Sequence, residues 1–181
     1  YMQTGRFSRG PLEFTAQASI VLGGNIDTDM TLRQPVSRYR HLFEALPPEL
    51  GGDTAFLDRL HGFLPGWELP KIRPENYAQG YGFITDYMAE IFARFRRRNY
   101  QTIVNAHVDF SSLTGRNQDA IRKTAAGLLK LIFPQRTVDD LQADELAICT
   151  DLAFECRQRV LQQLAIQAPG EFKPMEWQVK T

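Results

Sequence analysis

Three polar positions stand out in this chain because each places a chemically useful side chain within or next to a stretch with a regular apolar or helical pattern. Asn25 closes the apolar run at residues 18–24, Asp58-Arg59 interrupts an apolar stretch, and Arg116 opens a long helical pattern. A carboxamide can orient an attacking water molecule, and guanidinium groups can neutralise charge on phosphate oxygens. An amide followed by two well-separated arginines therefore suits chemistry at the terminal phosphate of a nucleotide.

Asn25 would reach such a site from the end of a strand. Residues 18–25 form a nearly continuous apolar run, which predicts a buried and parallel strand. Ligands collect at the carboxyl ends of strands in open α/β sheets, and this favours a functional role for Asn25. The alternative is that Asn25, which follows Gly23-Gly24, only begins a turn.

The arginines also have ordinary explanations. A charged pair such as Asp58-Arg59 at a helix end is most often a surface ion pair of small energetic value. Arg122 lies further along the same predicted helix as Arg116 and competes with it for a role at a nucleotide. The remaining alternative is that both are solvated helix arginines.

A basic segment near the start of the chain mixes cations with an aromatic residue and a flexible glycine. Arg6 and Arg9 flank Phe7-Ser8 and precede Gly10, and we interpret this segment as a turn. The composition suits contact with a nucleic-acid backbone, with a solvated loop as the alternative. A denser cluster, Arg94 and residues 96–98, is interpreted chiefly as structural, because cations are favoured at the C-terminal end of a helix, with nucleic-acid contact as the alternative.

Composition limits the remaining function classes. The 181 residues are 43% hydrophobic, enough for one ample core or two small ones. The 21 basic and 21 acidic residues cancel, which excludes a global basic field for nucleic acid. No apolar run long enough for a bilayer and no secretion signal is evident, and Cys149 and Cys156 are interpreted as buried thiols. The chain therefore predicts a cytoplasmic protein without membrane or metal sites.

A change in pattern near residue 75 predicts an α/β portion followed by an all-α portion. The first portion is expected to contain a hairpin-like entry, the strand at 18–25, a short helix within 37–45, a helix from 54 to about 60 capped by Asp53, and a short strand at 66–69. The second portion is expected to contain helices near 83–98, 116–133 and 141–164.

Several stretches carry a family resemblance that covers nearly the whole chain. They are Tyr1-Met2-Gln3-Thr4-Gly5-Arg6-Phe7-Ser8-Arg9-Gly10, Asp53-Thr54-Ala55-Phe56-Leu57-Asp58-Arg59, Leu64-Pro65-Gly66-Trp67-Glu68-Leu69-Pro70-Lys71 and Ile121-Arg122-Lys123-Thr124-Ala125-Ala126-Gly127-Leu128-Leu129-Lys130-Leu131. The chain resembles AAA+ ATPases, and most closely the Lon-like ATPases of BREX phage-defence systems, the BrxL family.

The resemblance implies a domain division. Residues 1–75 would form the C-terminal part of the AAA+ α/β core, residues 76–168 the helical lid, and residues 169–181 a linker or tail. The chain has no G-x-x-x-x-G-K-[ST] motif and no acidic Walker-type segment before Asn25, so it is interpreted as an internal fragment that is inactive alone.

The resemblance also implies roles for the polar residues. Asn25 would be sensor 1, Arg59 the arginine finger offered to a neighbouring subunit and oriented by Asp58, and Arg116 the sensor 2 residue, with Arg122 as the alternative. The segment with Arg6 and Arg9 would be a hairpin that contacts DNA.

The full-length parent would bind ATP and Mg²⁺, assemble as a homo-oligomeric ring (a hexamer or stacked rings), and couple hydrolysis to action on DNA. Other BREX proteins are possible partners. Two alternatives are the ATPase segment of a Lon-type protease and a non-catalytic module for DNA binding or assembly.

Overall fold

Small antiparallel sheets precede a helical region in this chain. The computed structural model describes residues 2, 4–15, 18–29 and 31–176. The strands are β1 Arg6–Arg9, β2 Leu12–Thr15, β3 Thr28–Asp29 and β4 Gln34–Pro35. The α-helices are α1 Pro48–Gly51, α2 Thr54–Leu57, α3 Thr85–Arg96, α4 Gln101–His107, α5 Gly115–Ile132 and α6 Ala143–Gln167, with short 3-10 helices at Leu42–Ala45 and Pro74–Asn76.

The first two strands form the expected hairpin. β1 and β2 pair antiparallel, with Arg6 opposite Thr15 and Arg9 opposite Leu12. Gly10 makes the turn possible at a φ of 62°, a left-handed conformation that favours glycine. The expectation that Arg6 and Arg9 lie in a turn is wrong, because both belong to β1. Successive side chains alternate between the faces of a strand, so the two arginines lie on opposite faces of the hairpin.

The predicted buried strand at residues 18–25 is absent from the structure. These residues are irregular and exposed, and Val21 is 89% exposed. A buried parallel strand needs hydrogen-bonding neighbours, and in the described residues β1 to β4 pair only as two separate two-stranded sheets. The predicted strand at 66–69 is instead a turn, in which the amide of Leu69 donates to the carbonyl of Gly66. The structure therefore agrees with the coarse order of sheets before helices.

The helical predictions are confirmed for the long elements. The elements α3, α5 and α6 match the three predicted helices closely, and Asp53 caps α2 by accepting a hydrogen bond from the amide of Phe56 at 3.0 Å. The helix α4 was not predicted. The domain division near residue 75 stays a prediction, and residues 177–181 of the predicted tail lie outside the described residues.

The helix α6 serves two hydrophobic cores. Its first half packs with α4 and α5 in a cluster that contains Tyr100, Val104, Phe110, Leu113, Ile121, Ala125, Ala126, Leu129, Leu146, Cys149 and Ala153. Its second half packs with the segment 42–63 in a cluster of Phe43, Leu57, Val160, Leu161 and Leu164. One helix therefore joins the segment that carries Asp58-Arg59 to the helix that begins at Gly115.

Helix α3 shows the expected apolar spacing, but no other element among the described residues packs over its apolar side chains. It has no buried residue, and Tyr87 and Phe92 are 50% and 45% exposed. Of the basic cluster at its end, Arg94 pairs with Glu90 at 3.0 Å and Arg98 donates to the carbonyl of Pro134 at 2.9 Å. Both bonds agree with the structural interpretation of this cluster.

The segment after α2 approaches the backbone of α6 closely. The amide of Phe63 donates to the carbonyl of Cys156 at 3.0 Å. A side-chain carbon added at Gly62 would lie 2.8 Å from the Cβ of Cys156. Only glycine allows this approach, which sets the distance between residues 58–61 and α6.

We predict that Gly62→Ala lowers the free energy of unfolding by about 1–3 kcal/mol, because the new methyl group overpacks against α6. Urea denaturation measures this change. The matched control is Gly127→Ala in α5, where an added carbon meets nothing within 4 Å and the smaller entropy loss on folding should stabilise by about 0.5–1 kcal/mol. Equal effects of the two variants would contradict the close approach.

Candidate functional site

Among the described residues, an open cleft lies where residues 58–61 (the segment after α2), the start of α5 and residues 171–173 meet. Its volume is about 840 Å³. The cleft is lined by four cationic side chains, those of Arg59, Arg116, Lys123 and Lys173, together with His61 and the carboxylates of Asp58, Asp119 and Glu171. Asp58 and Asp119 are themselves paired with basic side chains, so the cationic groups can still contact an anion.

The start of α5 adds to the positive field. Residues 114–119 line the cleft, so the N-terminal end of an 18-residue helix faces it. The N-cap residue Thr114 makes no side-chain capping bond with the first turn. Because the positive end of a helix dipole attracts anions, this end reinforces the side-chain charges.

Asp58 organises the floor of the cleft. One carboxylate oxygen, Oδ1, accepts a hydrogen bond from Nη2 of Arg157 at 2.6 Å, and the other, Oδ2, accepts from Nη1 of Arg116. The Asp58 residue is 7% exposed, whereas the Arg116 side chain is 46% exposed. One carboxylate therefore lies between two guanidinium groups, and the charge of Arg116 remains available to the cleft.

Arg157 is the most completely enclosed of these groups, with 1% of its surface exposed. Its Nε donates to Oδ1 of Asn117 at 2.8 Å, and its Nη1 donates to the carbonyls of Asp58 at 3.0 Å and Leu60 at 2.7 Å. Burial lowers the pKa of the guanidinium, and the hydrogen bond to Asp58 opposes that shift. Arg157 thus ties α6 to both walls of the cleft.

Sequence reasoning missed Arg157, although a signal for it exists. It occupies a position on the apolar stripe of α6, whose other members include Cys149, Ala153, Val160 and Leu164. An arginine at a core position of an amphipathic helix must be paired and hydrogen-bonded, because an isolated buried charge is very costly. The stripe therefore indicated a buried partner for this residue.

Arg59 lines the cleft but is not oriented by Asp58. Its Nη1 donates to the backbone carbonyl of Ala55, one turn earlier. The expectation that Asp58 positions Arg59 is corrected here, since both carboxylate oxygens are taken by Arg116 and Arg157. The assignment of Arg59 as an arginine finger stays a prediction.

The structure separates Arg116 from its competitor Arg122. Arg122 donates to Oδ1 of Asp119 at 3.0 Å, and its guanidinium lies 5.9 Å from the centre of the Phe110 ring. Arg122 is not among the residues that line the cleft, whereas Arg116 is. The geometry favours Arg116 for any contact with an anion bound there.

The other predicted site residues lie elsewhere. Asn25 is exposed in the irregular stretch before β3 and does not line the cleft. Arg6 forms an exposed ion pair with Glu13 at 3.6 Å on the hairpin, and Arg9 lies on the other face with Phe7. The structure therefore brings Arg59 and Arg116 together and leaves Asn25, Arg6 and Arg9 apart from them.

The described residues contain no group of three or more His, Cys, Asp or Glu side chains that could hold a metal ion. Over the same ranges, no helix has the length and apolar character to cross a membrane.

Comparison with known proteins places the chain in a class of ATPase domains, that of BrxL-like Lon-like proteases. The matching family model is described as "Lon-like protease BrxL-like, ATPase domain" and covers residues 1–178. The chain belongs to this BrxL-like family.

Two curated relatives share substantial identity with the chain. The Lon-like protease BrxL of Bacillus cereus is 42% identical over 135 residues, which are 74% of this chain and 20% of that relative. The Lon-like protease BrxL of Escherichia coli is 37% identical over 165 residues, which are 91% of this chain and 23% of that relative. The matched part thus spans about a fifth of the length of each relative.

His61, on the rim of the cleft, provides a pH-dependent test of the geometry. Burial lowers its pKa below 6.5, the charges of Lys123 and Arg157 lower it further, and Asp119 opposes them. The unfolded chain therefore binds the proton more readily than the folded chain. We predict that the free energy of unfolding falls as the pH drops below 6.5, until the lower folded-state pKa is reached.

The His61→Gln variant should lose this component of the pH dependence, which urea titrations between pH 5 and 7.5 would measure as a smaller slope of the free energy of unfolding against pH. His107→Gln, at an exposed position of α4, is the control and should keep the wild-type slope. If the free energy of unfolding of His61→Gln kept the wild-type dependence on pH, His61 would be solvent-exposed, which would contradict its burial beside the cleft.

Proposed function

We propose that this chain is the C-terminal part of an AAA+ ATPase core with its helical lid, divided near residue 75, and that its cleft receives the phosphate groups of ATP. The observation that carries the proposal is the position of Arg116 and Lys123 at a cleft that also contains the N-terminal end of α5. The ATPase domain of the matching family supports the choice of nucleotide.

The residues present fit a polyphosphate. Arg116 is half exposed, Lys123 and Lys173 line the same space, and the end of α5 contributes its dipole. Of the three carboxylates that line the cleft, Asp58 is paired with two arginines, Asp119 is paired with Arg122 and Lys123, and Glu171 is the third. ATP bound here would supply the γ-phosphoryl group that water attacks to give ADP and phosphate. Mg²⁺ would be held by parts of the full-length protein other than the described residues.

Three residues have proposed roles in hydrolysis. Asn25 is proposed as sensor 1, which orients the attacking water. Arg116 is proposed as sensor 2, with Arg122 as the weaker alternative because Asp119 and Phe110 engage it. Arg59 is proposed as the finger that neutralises charge on the nucleotide of a neighbouring subunit. This division requires a homo-oligomeric ring in the full-length protein.

Arg59 and Arg116 can be tested together in the full-length protein. We predict that Arg59→Ala and Arg116→Ala each abolish most ATP turnover, with a loss of about 10³-fold or more for the finger. Arg59→Ala should retain ATP binding, because the finger acts on the neighbouring site. Binding of a fluorescent ATP analogue and release of phosphate are the two measurements.

Mixing the two inactive variants separates action within a subunit from action between subunits. A ring that contains both has interfaces where an Arg116→Ala subunit offers an intact Arg59 to a subunit with an intact Arg116, so turnover should return. Normal turnover of the single Arg59→Ala protein would refute the finger. Inactive mixtures would mean that both arginines of the same subunit act on one nucleotide.

We also propose that the β1–β2 hairpin contacts DNA. Arg9 shares a face with Phe7, Leu12 and Phe14, whereas Arg6 is engaged by Glu13 on the other face. The aromatic rings stack at a centroid distance of 5.4 Å and remain partly exposed. A cation beside exposed apolar groups suits a nucleic-acid strand better than an ion-paired arginine does.

The double variant Arg6→Ala with Arg9→Ala should weaken DNA binding by the full-length protein. Each lost phosphate contact should lower the slope of log affinity against log salt by about 1. We expect Arg9→Ala alone to account for most of the loss. Arg73→Ala, which removes the same charge from an exposed ion pair with Glu75, is the control. An unchanged salt slope in the double variant would remove the hairpin from the DNA path.

A second candidate function is supported by the names of both curated relatives, each a Lon-like protease. In that case the chain would be the ATPase segment that drives proteolysis. ATP-dependent cleavage of casein by the full-length protein, lost in Arg59→Ala, would favour this function over movement on DNA.

A further inference from the structure

Two buried groups connect α6 to Arg116 at the cleft: Arg157 on α6 binds Asp58, and Asp58 binds Arg116. This chain of contacts is called the relay below. Arg157 uses Nε, Nη1 and Nη2 on fixed acceptors of Asn117, Leu60 and Asp58. It holds Oδ1 of Asp58 at 2.6 Å, which leaves Oδ2 directed at Nη1 of Arg116. Exposure to solvent increases along the same three residues, from 1% for Arg157 to 7% for Asp58 and 46% for the Arg116 side chain.

The two arginines around Asp58 are not equivalent. Arg157 cannot turn towards the cleft without breaking hydrogen bonds to three residues in a buried space. By contrast, the guanidinium of Arg116 donates to Asp58 among the described residues and borders the open cleft. An incoming anion can therefore compete for Arg116 and leave the carboxylate still paired with Arg157.

We propose that Asp58 and Arg157 are positioning residues for Arg116, which hold its guanidinium ready for a phosphate anion in the cleft. This inference rests on the proposed function of the cleft. Asp58 aims Arg116, and Arg157 fixes Asp58 and keeps it compensated when Arg116 moves to the anion. The pair restricts where the mobile charge can lie, which reduces the reorganisation needed when the anion binds.

A double-mutant cycle in the full-length protein tests the relay. The variants are Asp58→Asn, Arg116→Gln and the combination, with kcat, affinity for a fluorescent ATP analogue and Tm as readouts. If Asp58 acts through Arg116, Asp58→Asn lowers kcat by about 10²-fold where Arg116 is intact, as expected for a misplaced group. In the Arg116→Gln background, where most turnover is already lost, Asp58→Asn should not weaken the affinity for the ATP analogue further, although Asp58→Asn lowers Tm in both backgrounds.

A matched control separates positioning from general effects on the cleft. Asp119 also lines the cleft, but it pairs with Arg122 at 3.0 Å and Lys123 at 3.9 Å. The effect of Asp119→Asn should therefore be the same with and without Arg116. Arg157→Lys keeps the positive charge but loses the planar fork, so its effect on the affinity for the ATP analogue should depend on Arg116 as that of Asp58→Asn does.

The outcomes distinguish this inference from the proposed function. Equal losses of affinity for the ATP analogue from Asp58→Asn in both backgrounds would overturn the relay and leave Asp58 a stabilising residue only. If the wild-type protein does not hydrolyse ATP, the proposed function fails, and the same cycle is measured by calorimetric binding of inorganic tripolyphosphate. Coupled affinities would then support the relay, and additive affinities would overturn it.

Discussion

The buried ion pair between Asp58 and Arg157 is the interaction on which the rest of the site depends. It joins the segment after α2 to α6 across the boundary between two hydrophobic clusters. Removing one partner of such a pair generally costs about 3–5 kcal/mol, because the other charge stays buried without compensation. In this chain the pair is also extended by hydrogen bonds to Leu60 and Asn117, so that loss would displace both walls of the cleft.

The start of α5 is immobilised by consecutive side chains that reach different parts of the fold. Arg116 donates to Asp58, Asn117 accepts from Arg157, and Gln118 donates to the carbonyls of Phe110 at 3.1 Å and Leu113 at 2.9 Å. The helix end that carries the positive field therefore has a fixed position relative to the cleft. Stabilisation of charge by oriented dipoles requires this kind of fixed geometry, since mobile dipoles must first be ordered.

Local patterns in the sequence predicted the features that local physics controls. The spacing of apolar residues gave the long helices, and Asp53 was correctly identified as a cap because its side chain acts within its own turn. Arg116 was placed at a helix start by the same reasoning. Residues 18–25 were misassigned because hydrophobicity alone does not provide a strand with partners. The contact between Asp58 and Arg157 links residues 99 positions apart, a pairing that no periodicity reveals.

That separation along the chain also affects the order in which the molecule assembles. Helices α4, α5 and α6 are neighbours in sequence and can associate after short loop closures, which makes their cluster kinetically accessible. The contact between Asp58 and α6 closes a far longer loop, whose entropic cost rises by about 0.6 kcal/mol with each doubling of its length. The helical cluster can therefore form while the segment after α2 is still unattached, and the cleft is completed last. Under mild denaturation the same segment should detach first, so the cleft would be lost while most of the helical signal remains.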